Sequence, residues 1–367
     1  MKNSINWIGI DDHADKLTIA HYIDLGKEPA KEWEVIPDEK GLRTVMRWLG
    51  SLEGEVRCVY EAGPCGYELY RLVTRKGFGC EVVAPSLTPR KPGDRVKTNP
   101  RDARKLATLH RAGELTAIAV PDRKRESVRD LMRMRESVRK SVLSLHHQLS
   151  KFLLRHGYRY RDGRAWTQKH WRWIRALQMD EAYEQIVLVE LIIAVEQRVA
   201  QLVRFDQLVE ETSKEPEYAP MAKALRVLRG IDTLSAMGIL AELGDLRRFH
   251  SAPQLMAALG LVPSEYSTSD KTRRFAITKT GNAHVRHLVI EAAWHYQRRA
   301  LPGPKINQRR KGQPKELLEI AQRCDLRLHT KFRRMTSRGK RSTVAAVAVG
   351  RELAGFIWAI GQLALLY

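Results

Sequence analysis

Three acids stand where acids can share a cation. Asp11 ends the apolar run Ile8-Gly9-Ile10, Glu61 closes a second β-rich run after Val59-Tyr60, and Asp102 falls at the start of a helical stretch. Carboxylate oxygens are the ligands hard divalent ions such as Mg2+ require, and such ions at a phosphodiester stabilise the attacking and leaving oxygens together. Singly, each acid reads as a solvated strand end or a helix cap; the three together point to metal-dependent chemistry at phosphate. Asp12 competes with Asp11, since strand parity leaves open which of the two faces the site. Asp94, in Pro92-Gly93-Asp94-Arg95, is either a further ligand or a turn residue.

A second polar stretch runs from Gly260 to Arg274 and continues through Ile277-Thr278-Lys279-Thr280-Gly281-Asn282. Hydroxyls among cations can supply a nucleophile for phosphorus, although Ser and Thr in a basic loop more often contact phosphate or cap helices. Leu228-Arg229-Gly230-Ile231-Asp232-Thr233-Leu234-Ser235-Ala236 has the form of a helix-hairpin-helix turn. There a glycine leads into a helix whose N–H groups can face a phosphate; a packed glycine turn is the plainer reading. Tyr158, Tyr160, Trp166, Trp171 and Trp173 lie among Arg and Lys, a mixture that suits stacking on RNA bases or, equally, packing between helices.

The elements that must position these groups are legible from periodicity. Short β-rich runs at 7–10, 17–22, 33–36, 56–60 and 80–84 are interleaved with helical patterns near 41–52 and 67–76. Three strands followed by strand and helix in turn is the order of a ribonuclease-H-like α/β layer, in which adjacent strand ends and a facing helix bring acids together. From Pro121 the pattern turns helical: Val128, Leu131, Val138, Val142, Leu145, Leu149 and Phe152 form a coiled-coil seam, and Leu188, Leu191, Val195, Leu202, Phe205 and Val209 form a second. The pair predicts an antiparallel hairpin or a dimerisation arm. Prolines between Lys214 and Pro220 and the break at Pro302-Gly303-Pro304 divide the remainder of the chain. The expected fold is α/β plus α, with an N-terminal catalytic layer at 1–121, a coiled-coil arm at 122–215, a helical domain with the hydroxyl-rich loop and the hairpin-like turn at 216–300, and C-terminal helices at 301–367.

With 64 Lys and Arg against 42 Asp and Glu, the 367-residue chain carries a formal charge of +22, a field that draws polyanions. Nucleic acid is the partner this favours over an anionic membrane. The four cysteines form no Cys-x-x-Cys pair, which excludes a disulfide scaffold and suits a reducing cytosol. The apolar start is too soon interrupted by charge for a signal peptide, and the apolar stretch 344–367 is broken by Arg351 and Glu352, so it is expected to be a buried helix of a cytoplasmic bacterial protein.

Taken in order, Ile8-Gly9-Ile10-Asp11, Tyr60-Glu61-Ala62-Gly63, Lys97-Thr98-Asn99-Pro100-Arg101-Asp102-Ala103, Leu261-Val262-Pro263-Ser264-Glu265-Tyr266-Ser267 and Ile277-Thr278-Lys279-Thr280-Gly281-Asn282 give nearly the whole chain a resemblance to the DEDD transposases of the IS110 insertion-sequence family, the bridge-RNA-guided recombinases. The resemblance implies a RuvC-like domain whose acidic quartet binds Mg2+, and a transposase domain whose serine attacks DNA and forms a phosphoserine link. It places Asp11, Glu61 and Asp102 at the first, second and fourth acidic positions and Asn99 at the third, where an amide oxygen can ligate but brings no charge. Where many members show Ser-Ser-Gly this chain has Ser267-Thr268-Ser269, so a gap-free match puts Thr268 at the second place; the resemblance makes Ser267 the nucleophile because the first position keeps its serine, with Thr268 and Ser269 as alternatives. It further implies target and donor DNA, a structured noncoding guide RNA and a homodimer or tetramer as partners, with base pairing reading sequence and protein reading backbone. A water-using RuvC-type junction nuclease and a non-catalytic nucleic-acid scaffold are the rival functions.

Overall fold

The computed structural model describes residues 4–89, 98–268 and 271–363; Asp94 and Ser269 lie outside them. The chain divides into two compact units, residues 1–121 and 122–367.

In the first unit β1 (Ile5–Asp12), β2 (Leu17–Ile23), β3 (Lys31–Val35), β4 (Glu55–Glu61) and β5 (Gly79–Val83) form one mixed sheet in the order β3-β2-β1-β4-β5. The first three strands pair antiparallel, whereas β4 runs parallel to both β1 and β5. β1 is central and buried along most of its length, which explains why its sequence is apolar nearly throughout rather than alternating. One face packs Ile8, Ile10, Cys58 and Tyr60 against Val45 and Leu49 of α1 (Glu39–Gly50) and Val73 of α2 (Glu68–Arg75). The other face receives α3 (Asn99–Arg111). Asp38 starts α1 by accepting a hydrogen bond from the Gly41 amide at 2.6 Å.

The second unit begins with α4 (Arg123–Arg155), followed by α5 (Gln168–Ala176) and α6 (Ala182–Thr212). α4 and α6 lie antiparallel: Arg135 meets Asp206 near one end of the pair and His156 meets Glu184 at the other. Val138, Val142, Leu149 and Phe152 of the first expected seam, and Leu188, Val195 and Val209 of the second, are buried. The aromatic connector closes the end of the hairpin, its rings packed on one another around Ile174.

Next come α7 (Ala219–Leu225), α8 (Thr233–Leu243), α9 (Ala252–Ala258), a ribbon of β6 (Pro263–Thr268) and β7 (Lys271–Ile277), α10 (Ala283–Ala293), α11 (Pro304–Arg310), α12 (Lys315–Ser337) and α13 (Ser342–Leu363). Residues on both sides of the Pro302-Gly303-Pro304 break share one core, with Leu225, Met237 and Val289 packed in the same cluster as Leu328 and Leu353. α13 is long and apolar enough to cross a membrane by composition, yet it buries Val349, Leu353, Ile357 and Ile360 in that core.

Candidate active site

A glycine sets the geometry of the acidic edge. A Cβ on Gly9 would stand 2.0 Å from the Ala103 carbonyl oxygen and 2.6 Å from the Ala107 amide, so α3 rests directly on the backbone of β1. Glycine inside a buried strand marks this kind of close approach. Trp7 meets His110 edge to face at 5.1 Å, so with Ala103 over Gly9 and His110 beside Trp7 the helix runs opposite to the strand. Four residues back from Ala103 along the helix, a rise of about 6 Å, and two residues on from Gly9 along the strand, about 6.6 Å, bring Asn99 level with Asp11.

Alternation settles which acid of the Asp11-Asp12 pair shares this face. Trp7, Gly9 and Asp11 point to the α3 side, as do Val59, packed with Val83 and Leu106, and Glu61 after it. Ile10 pairs with Tyr60 in parallel register, so Asp11 and Glu61 stand side by side at the ends of neighbouring strands, whose spacing is about 4.8 Å. Asp12 belongs to the opposite face. Its carboxyl is raised above the usual range by burial and by Asp11, against the opposing pull of a hydrogen bond with Cys65 and of His13.

Asp102 lies in the first turn of α3. One oxygen of Asp11 and one of Asp102, Oδ2 in each, are shielded from water, and Asp11 Oδ2 is 3.3 Å from Nε2 of His13. Oxygen donors on one edge, two of them buried, fit a hard divalent cation in kind and in backbone placement. Among the described residues, however, no three carboxylate, imidazole or thiolate groups are gathered closely enough to hold one ion.

In the second unit the hydroxyl run is a strand rather than a loop. Ser267 pairs with Thr272 and Thr268 with Lys271 across the ribbon. Two glycines lock its base. Gly260 (φ +61°) would place a Cβ 2.1 Å from the Thr280 carbonyl, and Gly281 (φ +73°) one 2.0 Å from that of Ala258. Arg286 donates to the carbonyls of Leu259 and Thr280 at 2.9 and 3.0 Å. Asn282 caps α10 through Oδ1 and donates through Nδ2 to Glu242 at 2.8 Å, while Arg133 grips Glu242 through two nitrogens. Glu242 and Asn282 were not singled out by sequence reasoning as anchors of this run, because Glu242 is remote in sequence.

The Leu228–Ala236 turn is engaged internally. Gly230 (φ +81°) sits against the Ala292 backbone, and Asp232 caps α8 by accepting from the Ser235 amide at 2.8 Å. The Arg229 guanidinium donates to the carbonyls of Arg299 and Leu301 at 2.6 and 2.9 Å.

Comparison with known proteins names the class to which this layer and ribbon belong. Residues 8–157 match the DEDD transposase family of IS110 elements, and residues 222–308 match the family described as Transposase IS116/IS110/IS902. The chain is 42% identical over 357 residues to the y4qE protein of Sinorhizobium fredii, covering 97% of this chain and 88% of that protein. It is 30% identical over 352 residues to the transposase for insertion sequence element IS1533 of Leptospira borgpetersenii, covering 93% of this chain and 99% of the relative. A 25% identity over 232 residues links it to the transposase for IS1111A of Coxiella burnetii, with 61% of each chain covered. The chain belongs to the IS110-family DEDD transposases, enzymes that cut and rejoin DNA.

Proposed function

We propose that this transposase works through a RuvC-like acidic edge in the first unit and a serine nucleophile in the second, guided by a structured noncoding RNA that pairs with target and donor DNA. The observation that carries the reading is the seating of α3 on Gly9, which brings Asp102 and Asn99 to the edge where Asp11 and Glu61 end adjacent parallel strands. The strand arrangement, three antiparallel strands and then two parallel ones, supports the RuvC-like assignment.

Asp11, Glu61 and Asp102 would hold Mg2+, with the Asn99 amide oxygen as a neutral fourth donor. When bound, the ion supplies charge stabilisation at the phosphate oxygens. The Ser267 hydroxyl forms the bond to phosphorus as the bond to the departing sugar oxygen breaks, and the resulting ester preserves bond energy for rejoining. Thr268 and Ser269 are the alternative nucleophiles.

The α4–α6 pair is the coiled-coil arm in this reading. Ile186, Val189, Ile193, Val199 and Val203 are exposed along α6, an apolar length that suits a homodimer or tetramer. The turn before α8 is the helix-hairpin-helix-like element, and a cytoplasmic location follows from the DNA substrate.

Protein, element RNA, Mg2+ and end-labelled DNA mixed and then denatured should yield a protein–DNA adduct, and Ser267→Ala should abolish it. Full adduct yield from Ser267→Ala would move the nucleophile to a neighbouring hydroxyl. Free DNA ends with no adduct from the unaltered protein would favour a water-using nuclease, and unchanged transposition after Asp11→Ala would favour a scaffold.

A further inference from the structure

The closed end of the α4–α6 hairpin holds a concentration of charge that the transposition chemistry does not use. Between Lys151 and Arg175 there are eight Lys or Arg residues and one acid, Asp162. In the middle of the α4 shaft three arginines are paired with acids: Arg133 with Glu242, Arg135 with Asp206 and Arg139 with Glu136. At the end the pattern changes. Arg175 pairs with Glu196, and Lys169 donates to the Asp162 carbonyl, but among the described residues Arg159, Arg161, Arg164 and Arg172 are exposed without an acidic partner.

The aromatic rings of this segment are engaged in holding it together. Trp166 stacks on His146 with centroids 3.8 Å apart and planes 9° from parallel, and Trp173 stacks on His170 with planes 12° apart. The Trp166 amide donates to His170 Nδ1 at 2.8 Å, Tyr158 donates through its hydroxyl to the Gln178 carbonyl, and Thr167 caps α5. Burial is the main cause that lowers both His146 and His170 from the ordinary imidazole value, which favours the uncharged form of the two stacked rings. Ile174, Phe152 and Leu188 complete a small core separate from the main one. The segment is therefore a packed knob with cations outside and rings inside.

We infer that this knob docks the sugar-phosphate backbone of a nucleic-acid duplex, reading charge and not base identity. Like charges at this density repel one another, and a polyanion relieves the repulsion with release of its counterions. Arginine forks suit phosphate oxygens. Rings already stacked within the protein are not available to stack on unpaired bases, which separates this surface from a single-strand platform. The inference rests on the proposed reading of the protein as a nucleic-acid recombinase and adds a contact remote from the acids and the serine in sequence.

The test uses the full-length protein carrying Arg159→Gln, Arg161→Gln, Arg164→Gln and Arg172→Gln together, with a matching set of Lys replacements as the charge-keeping control. Binding to a labelled DNA duplex and to a labelled RNA hairpin is measured across a salt titration. The Gln variant should unfold at the unaltered temperature and bind one or both ligands at least about tenfold more weakly at low salt. Its log–log salt slope should be shallower by about 3 to 4, equally for unrelated sequences, and the Lys set should restore most of the slope. The ligand that shows the loss identifies the duplex that docks. Unchanged slopes on both ligands, while the unaltered protein binds them, would overturn the knob's role and leave the recombinase reading standing. A loss confined to one base sequence, or one seen on anionic phospholipid vesicles and on neither nucleic acid, would also overturn it. Salt-independent binding, or none, by the unaltered protein would sink the parent reading itself.

Discussion

The acidic edge and the hydroxyl-bearing ribbon, the two regions we propose serve one reaction, are built by opposite means. At the edge, a five-stranded sheet with both faces covered fixes Asp11 and Glu61 by register, and α3 is pressed against bare backbone at Gly9, so Asp102 has little room to shift. The ribbon consists of two strands that carry exposed Tyr266 and Phe275, and such a hairpin is marginal unless something supports it. Its support is at the base, in the Gly260 and Gly281 contacts and the Arg133-Glu242-Asn282 chain. One region is positioned by the whole of its layer, the other by a few bonds at one end. Substitutions in the first should act through structure at a distance, and substitutions in the second through a small set of anchors.

The largest effect is expected where chemistry and placement coincide. Asp11→Asn keeps the shape of the strand end while removing charge from the edge. Several kcal/mol of lost transition-state stabilisation correspond to a fall in strand cleavage on the order of 10²–10⁴-fold. Quantified cleavage of labelled DNA with equal protein stability checks this, and a loss below about threefold would remove Asp11 from the proposed set.

Two glycine substitutions then separate the regions. Gly9→Ala and Gly260→Ala each introduce a Cβ into backbone, and overpacking of that kind costs on the order of 1–3 kcal/mol. Their consequences should differ. Gly9→Ala lifts α3 and should weaken Mg2+-dependent thermal stabilisation, whereas Gly260→Ala disturbs the ribbon base and should lower adduct yield with that stabilisation intact. Identical profiles for the two variants would contradict the contrast between edge and ribbon.

The difference between the regions also explains what the sequence disclosed. The expected strands at 7–10, 17–22, 33–36, 56–60 and 80–84 correspond to β1 to β5: β1, β2 and β4 are largely buried and advertise themselves as short β-rich apolar runs, whereas β3 has no buried residue and shows only the alternation of half-buried Trp33 and Val35 with exposed charge. Asp11, Glu61 and Asp102 were legible as strand-end and helix-start acids for the same reason. The choice between Asp11 and Asp12 needed the helix on Gly9, which a one-dimensional parity argument lacks. The ribbon was hidden: Ser264 to Arg274 is polar on both strands, so no hydrophobic alternation marked it, and its register is fixed by base contacts between residues far apart in sequence. The aromatic connector supported two readings of equal standing, and ring stacking between His146 and Trp166 depends on a partner in α4 outside the connector.

The smallest expected effect sharpens the anchor argument through pH. The Glu242 side chain is 4% exposed, whereas Arg133 is 47% exposed and can return to water when its partner is neutralised. Burial pushes the Glu242 carboxyl upward, but the hydrogen bonds from Arg133 and Asn282 and the nearby charges of Arg133 and His284 outweigh it, and the net shift is below the ordinary glutamate value of 4.5. A group held more acidic in the folded state contributes stability that is fully present above its unfolded value and is lost as pH falls through the folded one. Glu242→Gln should therefore cost about 1–2 kcal/mol near pH 7, the scale of hydrogen bonds to a charged group, and the cost should shrink as pH falls below 4.5. Chemical unfolding of both proteins at pH 7 and at lower pH measures the difference. A cost that stays constant with pH would mean that Glu242 holds the ribbon base by shape alone, without its charge.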